Sequence, residues 1–169
     1  MPDAAPSPLR PTDDDARAQA RNLIDTARFA ALGVLSDGVP MVSRVALATD
    51  ACGTPVSLIS DLALHTGALR ATPACSLLLG EPGAKGDPLT HPRLTLQARA
   101  EFIARDSADH PRLRARYLDL RPKSALYLDF ADFNFVRFVP VAAMLNGGFG
   151  RAFHLTPADL APRGEQAPP

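Results

Sequence analysis

Ten consecutive residues, Arg93 to Phe102, limit what this chain can fold into more than any other stretch. Leu94, Leu96, Ala98, Ala100 and Phe102 fall on one side; Arg93, Thr95, Gln97, Arg99 and Glu101 fall on the other. Side chains along a strand point alternately to opposite faces. A strict period of two therefore marks a strand with one face buried and one face wet. Such strands belong to antiparallel sheets. A doubly wound parallel sheet would also need a helix after nearly every strand, and the rest of the chain lacks that rhythm.

Further strands are read at Phe29–Leu35, Met41–Thr49, Pro55–Ile59, Ala74–Leu79 and Phe133–Val139, with a short one at Val141–Leu145. The turn signal Ser36-Asp37-Gly38 joins the first pair, and Asp50-Ala51-Cys52-Gly53 precedes the third. Ala16, Ala20, Leu23, Ile24 and Ala27 recur at helical spacing behind Asp13-Asp14-Asp15, which predicts an amphipathic helix from about Asp15 to Arg28. A short helix is expected to begin at Thr66. Another, capped by Asp106 or Ser107, runs to about Leu118, and Pro122 opens a further helical turn. Six or seven strands, with helices at only a few points, predict a mainly β (α+β) fold: an antiparallel split β-barrel with peripheral helices. Residues 1–14 and 161–169, rich in Pro and Ala, are expected to be flexible on either side of one domain, 15–160.

Composition removes several functions. The 169 residues carry 18 basic and 18 acidic side chains, so nothing draws the chain to nucleic acid or to anionic membranes. No apolar run is long enough for a membrane span, and Met1-Pro2-Asp3-Ala4-Ala5-Pro6 has no basic region ahead of an apolar one, so a cytoplasmic protein is expected. Cys52 and Cys75 have no metal or redox spacing, and the four histidines form no zinc pattern. No catalytic side chain and no metal ligand is assigned.

What remains is a set of anion-binding groups. Ser57 to Ile59 ends an apolar strand; Ser60 to His65 follow it, and the short helix comes next. Unpaired N–H groups at a helix start attract phosphate, and Ser60, His65 and Thr66 add donors. Taken alone the motif reads as an ordinary cap with a surface histidine. Arg44, inside an apolar strand one hairpin away, needs solvent, a carboxylate or a bound anion. Gly80 to Pro92 is a long loop at whose end Arg93 stands, and Asn146-Gly147-Gly148-Phe149-Gly150 asks for special backbone geometry or for close approach of a ligand or another chain.

Ser43-Arg44-Val45, Ile59 to Thr66, Pro92 to Leu96 and Gly147 to Ala152, in this order, resemble the pyridoxamine 5′-phosphate oxidase-like, FMN-binding split-barrel family, and within it the haem-utilisation (HugZ-like) branch. The resemblance covers roughly Leu23 to Leu160. It implies a homodimer with FMN in a cleft at the interface. It places Arg44 on the phosphate or ring edge, the backbone of Val45 and Ala46 on the isoalloxazine, Ile59 and Ser60 on flavin and phosphate, His65 and Thr66 on phosphate, and Arg93 near a further flavin contact. Thr49 stands where true oxidases have a lysine, and Ala68 where the branch often has an asparagine. Longer haem-utilisation relatives continue into a second domain, which is not expected in this chain. The implied function is an FMN-dependent oxidoreductase acting on an unknown small molecule. The alternatives are a non-catalytic flavin- or haem-binding protein, and a barrel that has lost its cofactor.

Overall fold

A computed structural model of the protein describes residues 9–148 and 150–162. In chain order the elements are β1 (Leu9–Arg10), α1 (Asp14–Thr26), β2 (Phe29–Ser36), β3 (Val39–Ala46), β4 (Ala48–Thr49), β5 (Pro55–Ser60), α2 (Leu64–Ala71), β6 (Ala74–Leu79), β7 (Arg93–Phe102), α3 (Asp109–Leu120), β8 (Phe133–Asn146) and β9 (Ala152–Leu155). Short 3-10 turns occupy Pro88–Thr90, Pro122–Leu126 and Pro157–Leu160.

All nine strands form one sheet in the order β1-β9-β8-β7-β6-β2-β3, with β5 joined to β8 beside this path and β4 joined to β5. The fold is mainly β, of the α+β class. The sheet curls without closing, and it is mixed: β1 runs parallel to β9, while the other pairs are antiparallel. The fourteen residues of β8 make it the spine. β7 lies along one of its edges, while the other edge holds β5 at Phe133–Arg137 and β9 at Ala143–Asn146.

The alternation of β7 does what its pattern demands. Leu94, Leu96, Ala98 and Ala100 enter the main core with Leu32, Leu77, Phe138 and Leu145, and α1 adds Ala16, Ala20 and Ile24. At about 25 cal/mol per Å² of apolar surface, each fully buried leucine here contributes roughly 1.5–3 kcal/mol. A second, smaller cluster lies under α3, where Leu113 and Tyr117 meet Val56, Leu58 and Phe135.

Several expectations shift. The first helix begins at Asp14, because the Asp13 carboxylate accepts the Ala16 N–H at 2.7 Å and so caps it. α3 begins at Asp109, later than expected, since the Ser107 hydroxyl donates to the Ala104 carbonyl instead of capping the helix. The two strands expected at Phe133–Val139 and Val141–Leu145 are one. Pro140, which has no N–H for a ladder, falls where the β7–β8 register slips between Gln97 and Ala98. The segment expected to be flexible over 1–14 ends in a strand, Leu9–Arg10, and in the cap of α1; residues 1–8 and 163–169 lie outside the described residues. Phe149 of the glycine run also lies outside them. The run turns β8 into β9, and a Cβ on Gly147 would stand 2.6 Å from Gln19 Oε1, so the close approach there is that of α1.

Candidate functional site

The sheet is split between β3 and β5. Among the described residues β3 pairs only with β2, and β5 only with β4 and β8. Among the described residues, two side-chain hydrogen bonds span the gap. The Ser57 hydroxyl donates to the Ala46 carbonyl at 2.7 Å, and Ser43 Oγ lies 3.0 Å from His65 Nδ1, a hydrogen bond in either imidazole tautomer. Seven of the eight residues singled out in the sequence stand on the two lips of this slot.

The β3 lip carries Arg44, Val45 and Ala46. Consecutive side chains alternate, so Ser43 turning to His65 sends Arg44 out on the opposite face. There Arg44 pairs across the sheet with Ala31, and its guanidinium sits 5.0 Å above the Phe29 ring, within cation–π range. Among the described residues it has no ion pair. The Val45 side chain is buried in the core, and Ala46 turns its carbonyl to the gap, where it accepts the Ser57 hydroxyl.

The β5 lip carries Ile59, Ser60, His65 and Thr66. α2 begins at Leu64, two residues before the expected start, and its N-cap Ala63 supplies no side chain. Backbone contacts hold that turn instead: Ala63 N–H donates to Ser60 O at 3.1 Å, and Thr66 N–H to Ala63 O at 3.0 Å. The Thr66 hydroxyl, fully buried, also donates to Ser60 O, at 2.6 Å. The Ser60 hydroxyl donates to Asp132 at 2.5 Å and accepts the Leu62 N–H at 3.1 Å. The Asp61 pKa is lowered from its ordinary value, first by the Arg70 guanidinium at 2.9 Å and then by Asn134. Burial pushes the His65 imidazole below its ordinary pKa, so it is neutral at physiological pH.

The structure thus brings Ser60, His65 and Thr66 together, and it does not bring Arg44 to Ser60 or Thr66. Asp132 is the residue that sequence reading missed. Nothing near it in the chain signals a partner 72 positions away.

Arg93 stands apart from the slot but is linked to it. With Arg28, Phe29, Ala31, Leu78 and His91 it lines a cavity of about 460 Å³ roofed by the 80–92 loop. Phe29 therefore has Arg44 on its ring and the cavity beside it. His91 ties the loop together: Gly83 N–H donates to Nδ1 at 3.3 Å, which leaves Nε2–H to donate to Lys85 O at 2.9 Å. Gly80 closes the loop at its base with φ +95°, and a Cβ there would lie 2.5 Å from Pro92 O. Among the described residues no cluster of His, Cys, Asp or Glu suits a metal ion, and no helix is long and apolar enough to cross a membrane.

No protein-family model matches the chain. One solved structure is 46% identical to it, with a TM-score of 0.81; the match covers 90% of this chain and 99% of the other. At that identity and coverage the two chains belong to one family. A protein of the pyridoxinephosphate oxidase family from Clostridium acetobutylicum, related to a general stress protein, superposes with a TM-score of 0.66 over 86% of this chain and 96% of its own, at 13% identity. The chain has that family's fold. The same fold carries the heme binding protein from Mycobacterium smegmatis, 29% identical with a TM-score of 0.78, over 90% of this chain and 61% of that one. Among curated proteins, the non-canonical heme oxygenase HOZ, chloroplastic, of Arabidopsis thaliana is 35% identical over 117 residues, 69% of this chain and 35% of that protein. The chain spans about a third of the length of this curated relative. Proteins with the fold therefore include haem-binding and pyridoxinephosphate oxidase-type members.

Proposed function

We propose that this protein binds FMN along the open edge of β3, at the seam of a homodimer, and uses it as an oxidoreductase of small molecules. One observation carries the reading: the unpaired edge of β3 has an unneutralised guanidinium on one face and a hydroxyl–imidazole pair on the other. The polar rim of an isoalloxazine takes hydrogen bonds from the open edge of β3, where Ala46 faces the gap beside Ser57. A phosphate of charge about −2 needs a cation with free N–H groups. Arg44 has them. The hydroxyl protons of Ser60 and Thr66 are committed to Asp132 and to Ser60 O, so the phosphate end belongs with Arg44, and His65 and Ser43 line the other wall. Phe29 and Arg93 extend the site toward the cavity under the 80–92 loop. The flavin supplies the electron transfer; the protein supplies position and charge.

A second reading, haem in place of flavin, rests on the names of two relatives above 25% identity, both haem proteins. Titration separates the two readings. FMN fluorescence is expected to be quenched saturably, and Arg44→Ala to weaken binding by one charge-assisted contact, about 1.5–3 kcal/mol. Unchanged affinity in Arg44→Ala removes the site. No quenching, together with a stoichiometric haem absorption band, replaces flavin by haem. Turnover of reduced nicotinamide with an electron acceptor tests the reaction, and light scattering at micromolar concentration tests the dimer.

A further inference from the structure

Away from the slot, a cleft of about 510 Å³ opens between the β4–β5 turn, α3 and β8, lined among others by Asp50, Cys52, Arg112, Leu113, Arg116 and Arg137. Three guanidinium groups face two carboxylates there, Asp50 and Asp109, and both carboxylates are already paired with Arg137. Asp50, 7% exposed, accepts the N–H groups of Cys52 at 3.0 Å and Thr54 at 2.9 Å on one oxygen and Arg137 Nε at 2.7 Å on the other. Asp109, on α3, forms a longer ion pair with Arg137, 3.6 Å from Nη2.

Arg116 is fixed by Thr49, donating to its carbonyl at 2.7 Å and to its hydroxyl at 3.2 Å. Stapling α3 to the sheet accounts for Arg116 and Arg137. It does not account for Arg112, which has neither ion pair nor hydrogen bond among the described residues. Arg112 precedes Arg116 by one helical turn, and like charges at that spacing repel unless a counter-charge lies between them. The cleft volume falls in the range of small-molecule sites, with Leu113 as an apolar patch in its wall.

We propose that this cleft binds a small organic anion through a phosphate or carboxylate held by Arg112, Arg116 and Arg137. The test is calorimetric titration of the whole chain with inorganic pyrophosphate and, separately, with citrate. Saturable binding of at least one is expected, weakening as salt is added. Arg112→Ala should lower that affinity on the order of tenfold, as loss of a charge-assisted contact requires, and Arg112→Lys should recover part of it. Arg112 is exposed and unbonded, so its thermal unfolding and FMN affinity should stay as in the wild type, which separates loss of the ligand from loss of the fold or of the slot. The bound anion should also slow alkylation of Cys52, which is exposed, by iodoacetamide; buried Cys75 serves as the silent reference. Tighter pyrophosphate binding assigns a phosphate ligand, and tighter citrate binding a carboxylate. No saturable heat with either anion, or equal affinity in Arg112→Ala, overturns the proposal.

Discussion

The two sides of this sheet are held together by different means. From β2 through β6 and β7 to β8, the strands are joined by backbone ladders over a core of Leu32, Leu77, Leu96 and Phe138. Between β3 and β5 the same job falls to Ser57 with Ala46 and to Ser43 with His65. Backbone ladders are runs of repeated amide hydrogen bonds over a shared core, and they reinforce one another. Side-chain bridges are individually weak and can be exchanged for a ligand. The ladder side therefore sets stability, and the split side is free to carry chemistry.

Substitutions should expose this division. The largest effect is expected on the ladder side: Leu96→Ala, in a fully buried site, should cost about 3 kcal/mol in denaturant unfolding, and a cost below about 1 kcal/mol would show that the core has another centre. Thr66→Val comes next. It removes the buried hydroxyl bond to Ser60 O and should cost about 1 kcal/mol, together with faster hydrogen exchange at the start of α2. Ser43→Ala should cost less, within about 0.5 kcal/mol, since His65 is only half-buried and can turn to water; a large loss would mean that the slot is structural.

The smallest effect is a dependence on pH. Burial lowers the His65 pKa in the folded state, so between that value and the ordinary 6.5 the unfolded chain binds more protons. Stability is complete above about 6.5 and falls as the solution becomes more acidic through that window. His110 is shifted the same way, first by burial and then by Arg105 and Arg114, so His65→Gln should make the decline shallower without abolishing it. An identical slope in both proteins would place His65 in water.

What could be read in the sequence follows from how local each signal is. The β7 pattern, the Asp13 cap and the limits of β6 are set by neighbours within a few residues, and Ala74–Leu79 and Arg93–Phe102 stand where the pattern put them. The start of α2 was misplaced because Ala63 carries no capping side chain; a carbonyl three residues back does that work. The two strands read at Phe133–Val139 and Val141–Leu145 are one because the β7 register shifts opposite Pro140, an irregularity the β8 residues themselves do not signal. β1 and β4 have two residues each, too few for any period. The lips of the slot were legible as residues, but their arrangement was not. The sequence leaves open that Ser43 rather than Arg44 turns to His65, and that Asp132 occupies the Ser60 hydroxyl.

The pairing of β1 with β9 bears on how the molecule is made. Leu9 and Arg10 bond to Ala152 and Phe153, Thr12 donates to the His154 carbonyl, and Arg17 grips Asp159. Thr12 precedes its acceptor by 142 positions, so this margin of the sheet assembles only after the chain through His154 has been made. A nascent polypeptide halted before Ala152 would leave β1 without its β9 partner, an early target for a chaperone or a protease.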